Sequence, residues 1–228
     1  RDTIMRKSFV TLAVGLIIFL MSSCSSGKKT SSTEDDSDTL CICPPESFVH
    51  IDLQPLGDFT QKEANQLKEE LEKHLVPIYL SEIEVLPKKD IPASCLYKPR
   101  NRYWAGKILG FLKQQNQGSD FVIIGLTHRD ISTSIHGNYN YGIMGYSFRP
   151  GNACVVSTFR LKRKDDLWKV TTHEFLHSRG LPHCKKDNPK CLMQDAHGKN
   201  TFFMKNGLCQ DCQNSLKSII DNQNENAD

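Results

Sequence analysis

The sequence predicts an α/β domain with a mostly parallel or mixed sheet. Three observations lead there. Strand-like and helix-like segments alternate along residues 44 to 222. The run Phe121-Val122-Ile123-Ile124-Gly125-Leu126 is almost wholly apolar, as a strand covered on both faces is. The composition, 38% hydrophobic and 24% charged, is that of an ordinary globular chain and excludes a disordered or collagen-like one.

Taken in order, folding is expected to begin near Pro44. Val49, Ile51 and Leu53 alternate with His50 and Asp52, so Phe48 to Leu53 reads as a strand. Thr60-Gln61-Lys62-Glu63 has the spacing of a capping box, and Ala64, Leu67, Leu71 and Leu75 follow at helical intervals. Pro77 closes that helix, and Ile83 to Leu86 is a strand stopped by Pro87. Residues 102 to 115, with Trp104, Ile108, Leu109 and Leu112, read as a second helix. Residues 128 to 140 read as a polar loop, followed by strands at Gly142 to Phe148 and Cys154 to Phe159. Asp165 or Asp166 can cap a third helix running to about Arg179, where Gly180 ends it. The remainder is rich in Cys and irregular until a last helix near Asn214 to Asp221, with 223–228 as a disordered tail. No repeat and no internal boundary divides 44–222, so one domain is expected.

The chain of 228 residues has 29 Lys+Arg against 26 Asp+Glu. Without residues 1 to 23, which hold Arg1, Arg6, Lys7 and Asp2, the balance is 26 against 25. No concentrated basic face is visible, which argues against a nucleic-acid partner.

The N-terminal segment reads as an export signal. Arg6-Lys7 after Met5, an apolar run from Phe9 to Met21 and then Ser22-Ser23-Cys24 are the parts of a secretory leader in their required order. The apolar run is shorter than the roughly 20 residues a membrane-spanning helix needs. Cys24 after two small residues resembles the lipobox of bacterial lipoproteins. That resemblance implies cleavage of a signal peptide, 1–23, lipid attachment at Cys24 and residence in the bacterial cell envelope outside the cytoplasm, with the membrane as a partner. Residues 25 to 39 contain no large apolar side chain, so 24–43 is expected to be anchor and flexible tether.

The chemistry is concentrated after residue 172. His173-Glu174-Phe175-Leu176-His177 places two imidazoles four residues apart, hence on one helix face, where they can hold a single ion. Zinc favours imidazole nitrogen and, in catalytic sites, takes three protein ligands with one position left for water. Gly180 lets the chain turn back, so that His183 can supply the third ligand. Glu174, beside the first ligand, can take a proton from zinc-bound water and pass it to a leaving amine. A bare His-Glu-x-x-His arises by chance in about one per cent of chains this long, and the added Gly and His lower that several-hundredfold, roughly.

Cys184, Cys191, Cys209 and Cys212 form a second constellation, ending in the knuckle Cys209-Gln210-Asp211-Cys212. Four thiolates fit a closed tetrahedral zinc site, two disulfides are an alternative in an exported protein, and a redox pair is a third. Cys41, Cys43, Cys95 and Cys154 carry no readable pairing. His128 and His136 with His197 read as loop histidines, and Tyr139, Tyr141 and Tyr146 as residues near a cleft or in packing.

His-Glu-x-x-His-x-x-Gly-x-x-His followed at once by Cys, then Cys-x-Met, then Cys-x-x-Cys, resembles the archaemetzincins. This resemblance implies a single metzincin-like zincin domain with a mixed sheet, an active-site helix and a Cys-rich C-terminal zinc subregion. It implies two zinc ions, a catalytic one on His173, His177 and His183 and a structural one on Cys184, Cys191, Cys209 and Cys212. Glu174 would be the general base and acid, and Met193, in Cys191-Leu192-Met193, the Met-turn residue. The expected function is hydrolysis of peptide bonds in a peptide or protein substrate; the alternative is a zinc-stabilised binding protein at the envelope that has lost turnover. Gly142 to Phe148 is expected to be an edge strand that pairs with extended substrate.

Overall fold

The computed structural model describes residues 48–225 except 116, 117, 119, 136, 197 and 198. The leader 1–23, Cys24 and the tether to residue 43 lie outside the described residues, as do Cys41, His136 and His197.

The central sheet grows from the apolar segments read above. Strands β1 (Val49–Pro55), β2 (Ser81–Val85), β5 (Phe121–Thr127) and β9 (Ala153–Ser157) lie parallel, and β8 (Gly145–Ser147) is antiparallel at the edge. The order is β2-β1-β5-β9-β8. A second sheet, ordered β3-β4-β6-β7, is made of β3 (Leu96–Tyr97), β4 (Arg102–Trp104), β6 (Ile131–Ile135) and β7 (Asn138–Ile143). The fold is therefore mixed α/β, as expected.

Alternation along the strands divides the core in two. Ile51, Leu53, Val122, Ile124 and Val156 face helices α1 (Gln61–His74) and α3 (Leu167–Ser178). Ile123, Ala153 and Val155 face α2 (Ala105–Lys113) through Ile108, Leu109 and Leu112. A strand buried on both faces has no polar side to show, which explains the unbroken apolar run in β5. The capping box forms: the Glu63 backbone N–H donates to Thr60 Oγ1 at 3.2 Å, and the Thr60 N–H to Glu63 Oε2 at 3.0 Å.

Four expectations are corrected. Residues 102–104 are strand β4, and helix α2 starts only at Ala105. Arg102 is held there by Asp130 at 2.7 Å, a partner 28 residues away that no local pattern reveals. The supposed polar loop contains β6 and the start of β7, whose polar residues fit a small sheet with an exposed side. Gly142 to Phe148 is not one strand: Gly142 and Ile143 end β7, whereas Gly145 to Ser147 join the central sheet as β8. Finally, α4 spans Gln210–Glu225, so residues 223 to 225 of the expected tail are helical. Among the described residues no helix is long and apolar enough to cross a membrane.

Candidate metal centre

Helix α3 carries the first two candidate ligands. Asp166 precedes it without making a side-chain cap; it is buried and pairs with Lys169 at 2.9 Å instead. At the other end Gly180 adopts φ +96°, a conformation that favours glycine. The Gly180 N–H donates to His177 O at 2.9 Å and the Leu181 N–H to Leu176 O at 3.0 Å, the paired bonds of a Schellman turn. The turn returns the chain, so His183 comes back against the helix.

The three imidazoles converge. The ring centroids of His173 and His177 are 4.4 Å apart, and that of His183 lies 5.4 and 4.6 Å from them. One ligand nitrogen from each lies within 4.8 Å of the others. Two ring orientations are fixed by backbone carbonyls: His173 Nδ1 is 2.9 Å from Leu192 O and His177 Nδ1 is 2.7 Å from Leu181 O. A carbonyl only accepts, so each Nδ1 carries the proton and each Nε2 a lone pair. Among the described residues, His177 Nε2 is buried with no hydrogen-bond partner. An orphaned acceptor costs about 1–3 kcal/mol, which a cation at that point would offset. Burial lowers His173 to about 3 and His177 to about 2, so both are neutral at pH 7, as ligands must be. His183 is half-buried, with Nδ1 3.7 Å from Asp195. These residues fit a metal ion.

Glu174 lies beside them on the wall of a cavity of about 320 Å³, shared with His173, His183, Tyr141 and Phe202. The Ser147 hydroxyl donates to its Oε2 at 3.0 Å. A Cβ at Gly145 would come within 2.5 Å of Glu174 Cγ and 2.6 Å of Oε1, so β8 must be bare here for Glu174 to fit. Burial pushes Glu174 up to about 7, against the Arg149 guanidinium and the Ser147 hydrogen bond, which lower it.

The four cysteines also converge, each offering a sulfur within 4.8 Å of the others. Cys184 and Cys209 sulfurs are 3.7 Å apart, as are those of Cys191 and Cys212. Disulfide sulfurs lie about 2.05 Å apart, so these are free thiols. A zinc tetrahedron with bonds of about 2.3 Å has edges of about 3.8 Å, which the separations match. Burial acts to raise Cys209, but hydrogen bonds from Cys212, Cys191 and Cys184 hold it down at about 7. Burial raises Cys212.

The two centres share a support. Residues 191 to 194 supply Cys191, the Leu192 carbonyl on His173 and the Met193 carbonyl that accepts the Cys184 N–H at 2.8 Å. Lys205, 1% exposed, extends Nζ to the carbonyls of Cys191 and Leu192, both at 3.2 Å, and to that of Gln194. Burial lowers its pKa to about 8. Met193 is fully buried in the main core.

No family model matches the chain. The archaemetzincin of Methanopyrus kandleri is 32% identical over 136 residues, 57% of this chain and 73% of that protein. The chain belongs to the archaemetzincin family. The archaemetzincin of Halobacterium salinarum is 26% identical over 184 residues, 74% of this chain and 99% of that protein. Among solved structures, the Methanopyrus kandleri archaemetzincin superposes with a TM-score of 0.64 at 21% identity, over 78% of this chain and 98% of that one. The Archaeoglobus fulgidus archaemetzincin, complexed with malonate, gives a TM-score of 0.59 at 25% identity, over 73% of this chain and 99% of that one.

In this archaemetzincin the sequence pattern located every side chain that converges, but not what orients them. Ser147, Gly145, Asp195 and Lys205 went unread, because each acts through contacts distant in the chain. The Leu181 carbonyl has a local signal, since it directly follows the Gly180 turn; the Leu192 carbonyl has none. Of the tyrosines, Tyr141 lines the cavity with Glu174, Tyr146 lines a neighbouring one, and Tyr139 meets Tyr97 and Trp104 edge to face at the surface. His128 bridges Glu63 at 3.1 Å and Thr158 at 2.6 Å, away from both centres.

Proposed function

We propose that this archaemetzincin is a zinc-dependent peptidase in which Glu174 is the general base and acid. The observation that carries the reading is the convergence of three neutral imidazoles beside a buried carboxylate on a cavity wall. His173, His177 and His183 would hold the catalytic zinc, which when bound supplies a Lewis acid that polarises a carbonyl and acidifies a water. Glu174 accepts the proton and delivers it to the leaving amine. Ser147 holds one carboxylate oxygen, which keeps the other directed by the packing against Gly145. Strand β8, bonded in its sheet to β9 alone, leaves an edge on which an extended peptide can add as a further strand. Cys184, Cys191, Cys209 and Cys212 would hold a structural zinc that fixes the loop beneath Lys205. The leader-like residues 5 to 23 and Cys24 support attachment to the envelope by a lipid, with Cys24 as its site.

The test is metal content by mass spectrometry together with cleavage of a peptide library, for the parent lacking residues 1 to 24 and for His177→Ala. Two zinc ions and turnover, falling to one ion and none, is the expected result. An unchanged ion count would leave the metal on the cysteines alone and remove the peptidase reading. Binding of a hydroxamate without cleavage of any peptide would instead indicate the envelope binding protein.

A further inference from the structure

The cleft holds a cation that the roles above do not use. Arg160 lines the cavity beside Glu174, but its Nε and Nη2 donate to Asp130 Oδ1 and Oδ2, both at 2.8 Å. Arg102 donates to the same carboxylate at 2.7 Å, so Asp130 holds both guanidiniums in place. Arg149 is different. It follows edge strand β8 and lines the cavity of His173, Glu174 and His183; it also lines a second one beside His177 and Leu181. Its side chain makes no hydrogen bond or ion pair among the described residues. Of the carboxylates lining its cavity, Glu174 accepts from Ser147 and feels the Arg149 charge only at a distance, and Asp195 lies near His183.

We propose that Arg149 is the specificity-determining residue of this cleft, taking a carboxylate that the substrate presents next to the bond to be cut. The inference rests on the peptidase reading and names its substrate class: peptides acidic near the cleavage point. Arg149 is exposed at the cavity rim, where its guanidinium fork can match a carboxylate with two parallel hydrogen bonds. A peptide added along β8 runs past Arg149, because the residue lies two positions beyond Ser147, where the strand ends. The carboxylate has two possible sources, an acidic side chain or the free C-terminus of a short peptide.

The experiment uses the zinc-loaded protein and matched fluorescent peptides of two kinds, Asp against Asn at one position and a C-terminal acid against its amide. Binding is read by anisotropy and cleavage as KM and kcat, for the parent, Arg149→Ala and Arg149→Lys. The expected result is a preference for the acidic member of one pair by about tenfold or more in Kd and KM. The preference falls to near unity in Arg149→Ala and is partly kept in Arg149→Lys, and the pair that shows it identifies the source. Equal binding of both members by the parent, or a preference that survives Arg149→Ala, overturns the proposal. So does a fall in kcat by one common factor for every peptide, which would place Arg149 at the reaction centre. Acid-selective binding that needs Arg149, without cleavage of any peptide, upholds the proposal and overturns the peptidase reading; cleavage without selectivity does the reverse.

Discussion

His183 and Cys184 are neighbours in the chain, yet they belong to centres of opposite kind. The histidine centre opens on a cavity and sits beside a carboxylate that can exchange a proton. The cysteine centre is packed with Leu208 and Leu216 in the main core. Ligand convergence alone therefore does not separate a reactive centre from a structural one. The difference lies in what stands next to the ligands: a cavity and Glu174 in one, aliphatic side chains in the other.

The largest expected effect lies on the structural side. Cys212→Ser should release one ion and lower stability by several kcal/mol, since binding at a closed cysteine site is folding free energy. Metal content with thermal unfolding measures this, and a variant with full stability would show that the cysteines are not a structural centre. Glu174→Gln should separate the centres most cleanly: turnover falls by about 10²–10⁴-fold while both ions stay bound. Retained turnover would remove Glu174 from the chemistry.

Lys205→Met should blur the distinction. It takes one of two donors from the Cys191 and Leu192 carbonyls, which keep the Gln194 N–H and His173 Nδ1. It leaves the Gln194 carbonyl without Nζ, at roughly 1–3 kcal/mol, and loosens the segment that both serves His173 and carries Cys191. Zinc affinity, followed by competition with a chelator, should weaken at both centres; weakening at one alone would mean that the segment does not couple them.

The smallest effect is a slope in pH. The measurement is made in a weak chelator, so that the histidine centre holds no metal. Between pH 4.5 and 6.5 the unfolded chain carries protons on His173 and His177 that the fold has shed, and the fold keeps one on Glu174 that the unfolded chain has lost. The unfolded state then holds 2 − 1 = 1 extra proton from these groups. Stability attributable to them therefore rises with pH by about 1.4 kcal/mol per unit and is lost on acidification through this window. Glu174→Gln removes the opposing proton, so its slope should be steeper than the parent's by about 1.4 kcal/mol per unit. Other groups titrate alike in both proteins, and urea unfolding across the window gives the difference. Equal slopes would mean that Glu174 is not held protonated by burial.

Regular local patterns carried most of the reading. The capping box at Thr60, the apolar run of β5 and the glycine turn at Gly180 each act within a few residues, so their meaning is written where they occur. The His and Cys spacings are equally local, and the structure brings both sets together. Where a partner is distant, the pattern fails. Residues 102 to 104 read as helix because their pairing with Ile131 and Ser132 in β6 lies almost 30 residues on. Gly142 to Phe148 read as one strand because nothing in its alternation marks the change from one sheet to the other.

By itself the sequence determined which histidines and cysteines come together, since residue type and helical spacing are properties of adjacent residues. Tertiary structure alone decided their working state. It supplies the Leu181 and Leu192 carbonyls that set the imidazole tautomers, the bare strand at Gly145 that admits Glu174, and the buried Lys205 that ties the two centres. These depend on burial and on contacts between distant segments, which exist only once the chain has packed.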